Sequence, residues 1–263
     1  MRFPLKLLAA AAALVLLPAA SAAAQAPAAT ITIDDGRAGI EGLEGHGWTT
    51  VTVQAAKPTD FAVVALRAGA DTTGFANAVG KLAPAGIGRW GAWLMAGSAR
   101  PGAPYTSTVN LTPGQYAIVT FGEKTTDWVG GFGVRDVPTG APAPEAGAQI
   151  ELRDFRFVAP KTVDAAAGIA VVNRGRQLHE AVIAKVKGPV GRAVRLARHG
   201  RFQKIRFAGM PQQAVGLVSP QTTNVVTPRL APGRYLLVCA YGDRGSRNRP
   251  HSVLGMAQAI TIR

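Results

Sequence analysis

The chain has 263 residues, 48% hydrophobic and 17% charged, with 31 glycines, 18 prolines, one cysteine and a formal net charge of +14. Glycine and proline punctuating runs of Val, Thr and aromatics argue against a helical protein and for short strands joined by turns. A lone cysteine excludes an internal disulfide, so it is buried, bound to something or paired with another chain.

The chain opens with Arg2 and Lys6, an apolar run from Leu7 to Leu17, and an alanine-rich segment. This is the order of a secretory signal, assigned here to residues 1–24 with cleavage after Ala22 or Ala24. The apolar run is too short to span a membrane comfortably, and no later stretch reaches that length. The expectation is a secreted or periplasmic protein with no transmembrane segment after signal cleavage.

Residues 25–137 read as a first β domain. Strands are expected over Thr30–Ile33, Trp48–Ala55 and Phe61–Leu66, then a short helix near Phe75–Leu82. Further strands follow around Trp93 and Met95, over Gln115–Phe121 and near Gly131–Val137. The run from Pro138 to Ala148 has the composition of a linker. Residues 149–263 form the second half, with strands over Ile150–Val158, Gly168–Asn173 and His179–Val186. In Ile150–Val158 the alternation places Phe155 and Phe157 on one face. Gly188–Gly209 is dense in Arg and Lys, and Val190, Val194 and Ala197 are spaced to line one helix face.

The halves match at an offset of 119 residues. Leu111, Pro113, Gly114, Tyr116 and Val119 then stand beside Leu230, Pro232, Gly233, Tyr235 and Val238. The fold class expected is all-β: two tandem Greek-key β-sandwich domains. Charge divides unevenly between them. From Gln149 onward there are 19 Lys and Arg against 5 Asp and Glu, whereas residues 25–148 hold 8 against 10. A basic half suggests an anionic partner. Nucleic acid is not expected, because no zinc-finger spacing, RNA-binding aromatic motif or helix-turn-helix is visible.

The chemistry gathers in the second half. Asn173 and Gly175 precede His179, the run PGRYLLVC ends at Cys239, and His251 and Met256 follow. Thiol, imidazoles and thioether together are a soft donor set of the kind that holds copper. In this order the residues resemble the cupredoxin family of plastocyanin- and azurin-like proteins, clearly over 149–263 and faintly over the first half. The resemblance implies one mononuclear copper held by His179, Cys239 and His251, with Met256 as a weak axial ligand and Asn173 pinning the loop around the site. It also implies electron transfer or copper handling, with a redox or copper-donor protein as partner. One departure stands out: eleven residues, Ala240–Pro250, separate Cys239 from His251, more than the family's usual loop. This loop is polar and basic, and it is expected to bulge into solvent.

At the offset of 119, the first half has Asp60 in place of His179 and Thr120 in place of Cys239, so no metal site is expected there. Val238 stands beside the cysteine and the chain has four histidines, which argues against an oxidase or reductase; no enzyme activity is expected. The alternative reading is a metal-free β-sandwich module with a basic face for an anionic partner. In that case Cys239 and Met256 are core residues.

Overall fold

The computed structural model describes residues 26–82, 84–122, 126–209, 212–242 and 246–263. The expected signal segment lies outside the described residues. The first half contains β1 (Ala28–Asp34), β2 (Arg37–Glu41), β3 (Gly47–Ala55), β4 (Thr59–Leu66), α1 (Thr72–Val79), α2 (Pro84–Ile87), β5 (Gly91–Ala99), β6 (Tyr105–Leu111), β7 (Gly114–Phe121) and β8 (Thr126–Val134). The second half contains β9 (Ala148–Arg153), β10 (Arg156–Val158), β11 (Thr162–Val163), β12 (Ile169–Asn173), β13 (His179–Lys185), α3 (Val190–Arg198), β14 (Gln212–Val218), β15 (Thr223–Val226), β16 (Gly233–Val238) and β17 (Ala257–Ile262).

The expectation of two tandem Greek-key sandwiches is overturned by how the strands pair. One open eight-stranded sheet runs β10-β9-β12-β15-β6-β3-β1-β2 through both halves, joined where Asn224 and Val225 of β15 lie opposite Val109 and Thr108 of β6. Neither half closes on itself. Within this sheet β1 runs parallel to β3, and β9 parallel to β12. Two smaller sheets complete the fold, in the orders β5-β4-β7-β8 and β11-β17-β16-β13-β14. A strand edge left open in each half would expose unpaired backbone N–H and C=O groups, and pairing β6 with β15 satisfies both edges at once. Asn224 secures the join, accepting from the Ser107 hydroxyl at 3.0 Å and donating to the Leu94 carbonyl at 2.9 Å. Local strand patterns carry no information about such an edge-to-edge choice.

One buried core joins the three sheets, drawing Val51 and Val53 from β3, Phe61 and Val63 from β4, Ile150 and Leu152 from β9, and Leu237 from β16. Strand β3 alternates because only one of its faces is buried: Val51 and Val53 point in, while Thr50 and Thr52 meet Thr108 and Thr106 across the ladder at 2.9 and 3.1 Å. The continuous apolar runs have two covered faces. In β4, Ala62 and Val64 pack with Phe75 and Trp93 on the side away from the main core. In β16, Leu236 and Val238 pack against α3 through Ala193 and Ala197, while Tyr235 and Leu237 face the main core. Cys239, the residue after β16, continues the inward side.

Helix α1 begins and ends about three residues before the expected span, capped by Asp71, whose carboxylate accepts from the Gly74 amide. Helix α3 buries Val190, Ala193 and Ala197, with Val194 only half-buried at the margin of the expected face. The largest local difference is at Ile150–Val158. It is not one strand but the hairpin β9–β10, with Arg153 opposite Arg156 and Asp154–Phe155 as its two-residue turn. Phe155 lies at φ +64°, a left-handed conformation costing a non-glycine residue roughly 1–2 kcal/mol. Phe155 thus leaves the strand face that Phe157 occupies.

Candidate metal centre

Three chain segments bring His179, Cys239 and His251 together, and each is fixed by its backbone. His179 opens β13. The loop before it is tied down by Asn173, whose side-chain amide donates to the carbonyls of Gln177 at 2.8 Å and Val218 at 2.9 Å. The Asn173 side-chain oxygen accepts from the Gly175 amide at 2.9 Å. Cys239 follows β16 on its inward face. His251 begins a tight turn in which the Met256 amide donates back to the His251 carbonyl at 3.0 Å, and the Cys239 amide bonds to the Met256 carbonyl at 3.1 Å.

The long loop returns its histidine. The Ser252 amide reaches the Cys239 carbonyl at 2.9 Å, and the His251 amide reaches the Tyr241 carbonyl at 2.7 Å. The excursion is therefore pinched shut at its base. Gly242 allows the close approach, since a Cβ there would lie 2.6 Å from the Arg249 carbonyl oxygen. Arg247 and Asn248, both with positive φ, turn the chain back. Both are exposed, as the polar composition requires; residues 243–245 lie outside the described residues.

Ligand atoms of His179, Cys239 and His251 all lie within 4.8 Å of one another, and all three residues are fully buried. Nδ1 of His179 faces Nδ1 of His251 at 3.0 Å, and Cys239 Sγ lies 3.6 Å from the same His251 nitrogen. A metal with bonds of about 2.0–2.1 Å to nitrogen and about 2.3 Å to sulfur sets nitrogen–nitrogen edges of about 3.0–3.6 Å and sulfur–nitrogen edges of about 3.2–3.8 Å, for angles near 95–120°. Both edges fit one ion. Two imidazoles and a thiolate are borderline-to-soft donors that suit copper in either oxidation state. The second half thus carries a mononuclear copper centre suited to one-electron transfer or copper handling. Met256 is fully buried in the same core cluster as Cys239.

Asp154 is the site residue that sequence reasoning missed. Its Oδ1 lies 3.2 Å from Nε2 of His179 and accepts from the Arg176 amide at 2.8 Å. Burial pushes its carboxyl up, but the hydrogen bonds from Arg176 and His179 outweigh this and hold it below the usual carboxylate range. An ionised carboxylate only accepts, so Nε2 of His179 carries the proton and Nδ1 turns its lone pair inward. Gly175 makes room for the pair, because a Cβ there would lie 2.5 Å from Asp154 Oδ1 and 2.8 Å from His179 Nε2.

Ring contacts and a glutamate close the surroundings. The Phe155 and Tyr241 rings meet the His251 ring edge-on, at centroid distances of 5.3 and 5.7 Å. Glu180 holds the chain after Cys239, accepting from the amides of Ala240 at 2.7 Å and Tyr241 at 3.0 Å. The Glu180 residue is only half-buried, yet desolvation at its carboxyl pushes its pKa up, with the two amides pulling the other way. A glutamate inside an apolar run signals little by itself. In the first half, Asp60 accepts a hydrogen bond from the Ser98 hydroxyl. His46 is half-buried and pairs with Asp136 at 3.3 Å.

No family model and no curated protein matches this sequence. Among solved structures, auracyanin from the photosynthetic bacterium Roseiflexus castenholzii is similar at 21% identity, over 44% of this chain and 94% of its own, with a TM-score of 0.26. Lac15 from a marine microbial metagenome is similar at 14% identity, over 81% of this chain and 62% of its own, with a TM-score of 0.27. Copper nitrite reductase from Nitrosomonas europaea is similar at 11% identity, over 89% of this chain and 93% of its own, with a TM-score of 0.24. This chain spans less than two thirds of Lac15. The copper assignment stands on the donor geometry.

Proposed function

We propose that this protein is a non-catalytic, exported member of the cupredoxin superfamily that transfers single electrons through one copper. The observation that carries the reading is the buried triad, with its 3.0 Å nitrogen–nitrogen and 3.6 Å sulfur–nitrogen edges. His179 Nδ1, Cys239 Sγ and His251 Nδ1 would hold the copper strongly and the Met256 thioether would add a weaker bond, while Asn173 fixes the approach to His179. Bound there, copper would supply one-electron redox chemistry, coupled to the protein through the Cys239 thiolate. The chain's own part is to hold the donors still. Asp154 fixes the His179 ring, the pinched loop fixes His251, and burial of all four side chains keeps water out.

That burial favours electron transfer over copper delivery. Handing copper to a partner requires an incoming donor to reach the ion, whereas an electron crosses a layer of packed side chains without ligand exchange. The matching sheet orders β5-β4-β7-β8 and β14-β13-β16-β17 support reading the halves as diverged copies, 25–137 and 149–263, the first without a metal site. The basic second half suits an acidic redox partner. Among the described residues no helix is long and apolar enough to cross a membrane; export rests on the leader sequence.

The experiment is a titration of the reduced, metal-free mature protein with Cu(II), anaerobically, followed by visible absorption. A stoichiometric thiolate-to-copper band, absent in Cys239→Ala, is the expected result. Absence of the band together with absence of tight Cu(I) binding overturns the reading.

A further inference from the structure

We infer that the Asp154–Phe155 turn closes the metal site: Phe155 seals it against outside ligands, and Asp154 sets the orientation of His179. The inference rests on the copper reading above and adds two residues that no ligand pattern contains. The turn is a two-residue hairpin loop between Arg153 and Arg156, and Phe155 occupies its second position at φ +64°. Glycine or asparagine is the ordinary occupant of such a position, because a Cβ is disfavoured there. A phenylalanine kept in that conformation needs a compensating contact, and the structure supplies one. Its ring stands edge-on to His251 at 5.3 Å, with the planes at 78°.

The turn also reaches the other ligand segments. Asp154 Oδ1 holds His179 Nε2 at 3.2 Å, while its Oδ2 meets the Arg176 guanidinium at 3.4 Å. The Phe155 carbonyl lies against Gly255, next to Met256, so closely that a Cβ at 255 would come within 2.5 Å of its oxygen. One two-residue turn therefore touches His179, His251 and the residue preceding Met256. Phe155 itself is half-buried, whereas His179 and His251 are fully buried. The aromatic ring is thus placed between the His251 ring and solvent. Asp154 keeps the His179 lone pair turned inward and puts a negative charge one imidazole away from the ion.

The test uses the full mature chain and the variant Phe155→Gly, which removes the ring and suits the positive φ, so the hairpin keeps its conformation. In copper-loaded wild type, added azide should leave the thiolate-to-copper band and the EPR spectrum unchanged; in Phe155→Gly both should shift saturably. An unresponsive Phe155→Gly, or a wild type that responds equally, overturns the seal. A second arm needs no copper. Alkylation of Cys239 by iodoacetamide in the metal-free protein should run about tenfold faster in Phe155→Gly, because access as well as thiolate fraction limits the rate. Equal rates overturn the seal even if wild type never loads copper, whereas failed loading with a faster variant rate overturns only the copper reading. For Asp154, the variant Asp154→Asn keeps an acceptor but loses the charge, so the reduction potential should rise with the band retained. An unchanged potential removes Asp154 from the assignment.

Discussion

Ser252 donates its backbone amide to the carbonyl of Cys239 at 2.9 Å, although thirteen positions separate them in the chain. This bond, with the one from His251 to Tyr241, reconciles a long intervening loop with a compact ligand set. Loop closure costs little extra as a loop lengthens, so the added residues form a closed excursion on the surface and leave the site geometry untouched.

The base of that excursion is sensitive at Gly242. A Cβ there meets the Arg249 carbonyl oxygen at 2.6 Å, against backbone that cannot easily move aside. Gly242→Ala is expected to weaken Cu(I) affinity by about tenfold or more, since about 1.4 kcal/mol of distortion corresponds to that factor. Competition against a chromophoric Cu(I) chelator measures it. An affinity equal to wild type would show that the loop base does not govern the position of His251.

Asn173 makes three side-chain hydrogen bonds from a fully buried position. Asn173→Ala leaves the Gln177 and Val218 carbonyls and the Gly175 amide to find other partners. The expected destabilisation is about 2–4 kcal/mol, from about 1–3 kcal/mol for each buried group left unsatisfied and partial relaxation of the rest. Denaturant unfolding of the metal-free protein tests this without reference to copper.

Gly175→Ala isolates the other half of that loop. Its new methyl group would press on both Asp154 and His179. The expected result is a lowered thermal midpoint in the metal-free protein and an altered EPR splitting once copper is added. Unchanged spectra would mean that the loop shifts as a unit and carries the pair with it.

Copper itself should stabilise the fold. Free Cu(I) at a hundredfold above its dissociation constant adds about 2.7 kcal/mol by mass action alone. The corresponding rise in thermal midpoint should disappear in Cys239→Ala.

The ligand candidates were legible in the sequence because chain order and donor chemistry together are specific. His179, Cys239 and His251 meet as expected, although no one of them is informative alone. The faces of β16 follow the simple two-residue period of a strand, with Tyr235 and Leu237 buried toward the main core while Leu236 and Val238 face α3. The Asp154–Phe155 turn was not legible. IELRDFRFV alternates like one strand, and phenylalanine at the second turn position gives none of the glycine or asparagine signal that marks a hairpin. The eight-stranded sheet was hidden for a different reason. Pairing of β6 with β15 is a contact between segments more than a hundred residues apart, and each strand alone reads the same whether its outer edge is covered or free.

X-ray absorption at the copper edge of the loaded, full mature chain tests the central claim most directly. One sulfur at about 2.2–2.3 Å and two nitrogens at about 2.0 Å are expected, with the sulfur lost in Cys239→Ala. A shell of nitrogen and oxygen alone, the same in wild type and variant, would contradict the site.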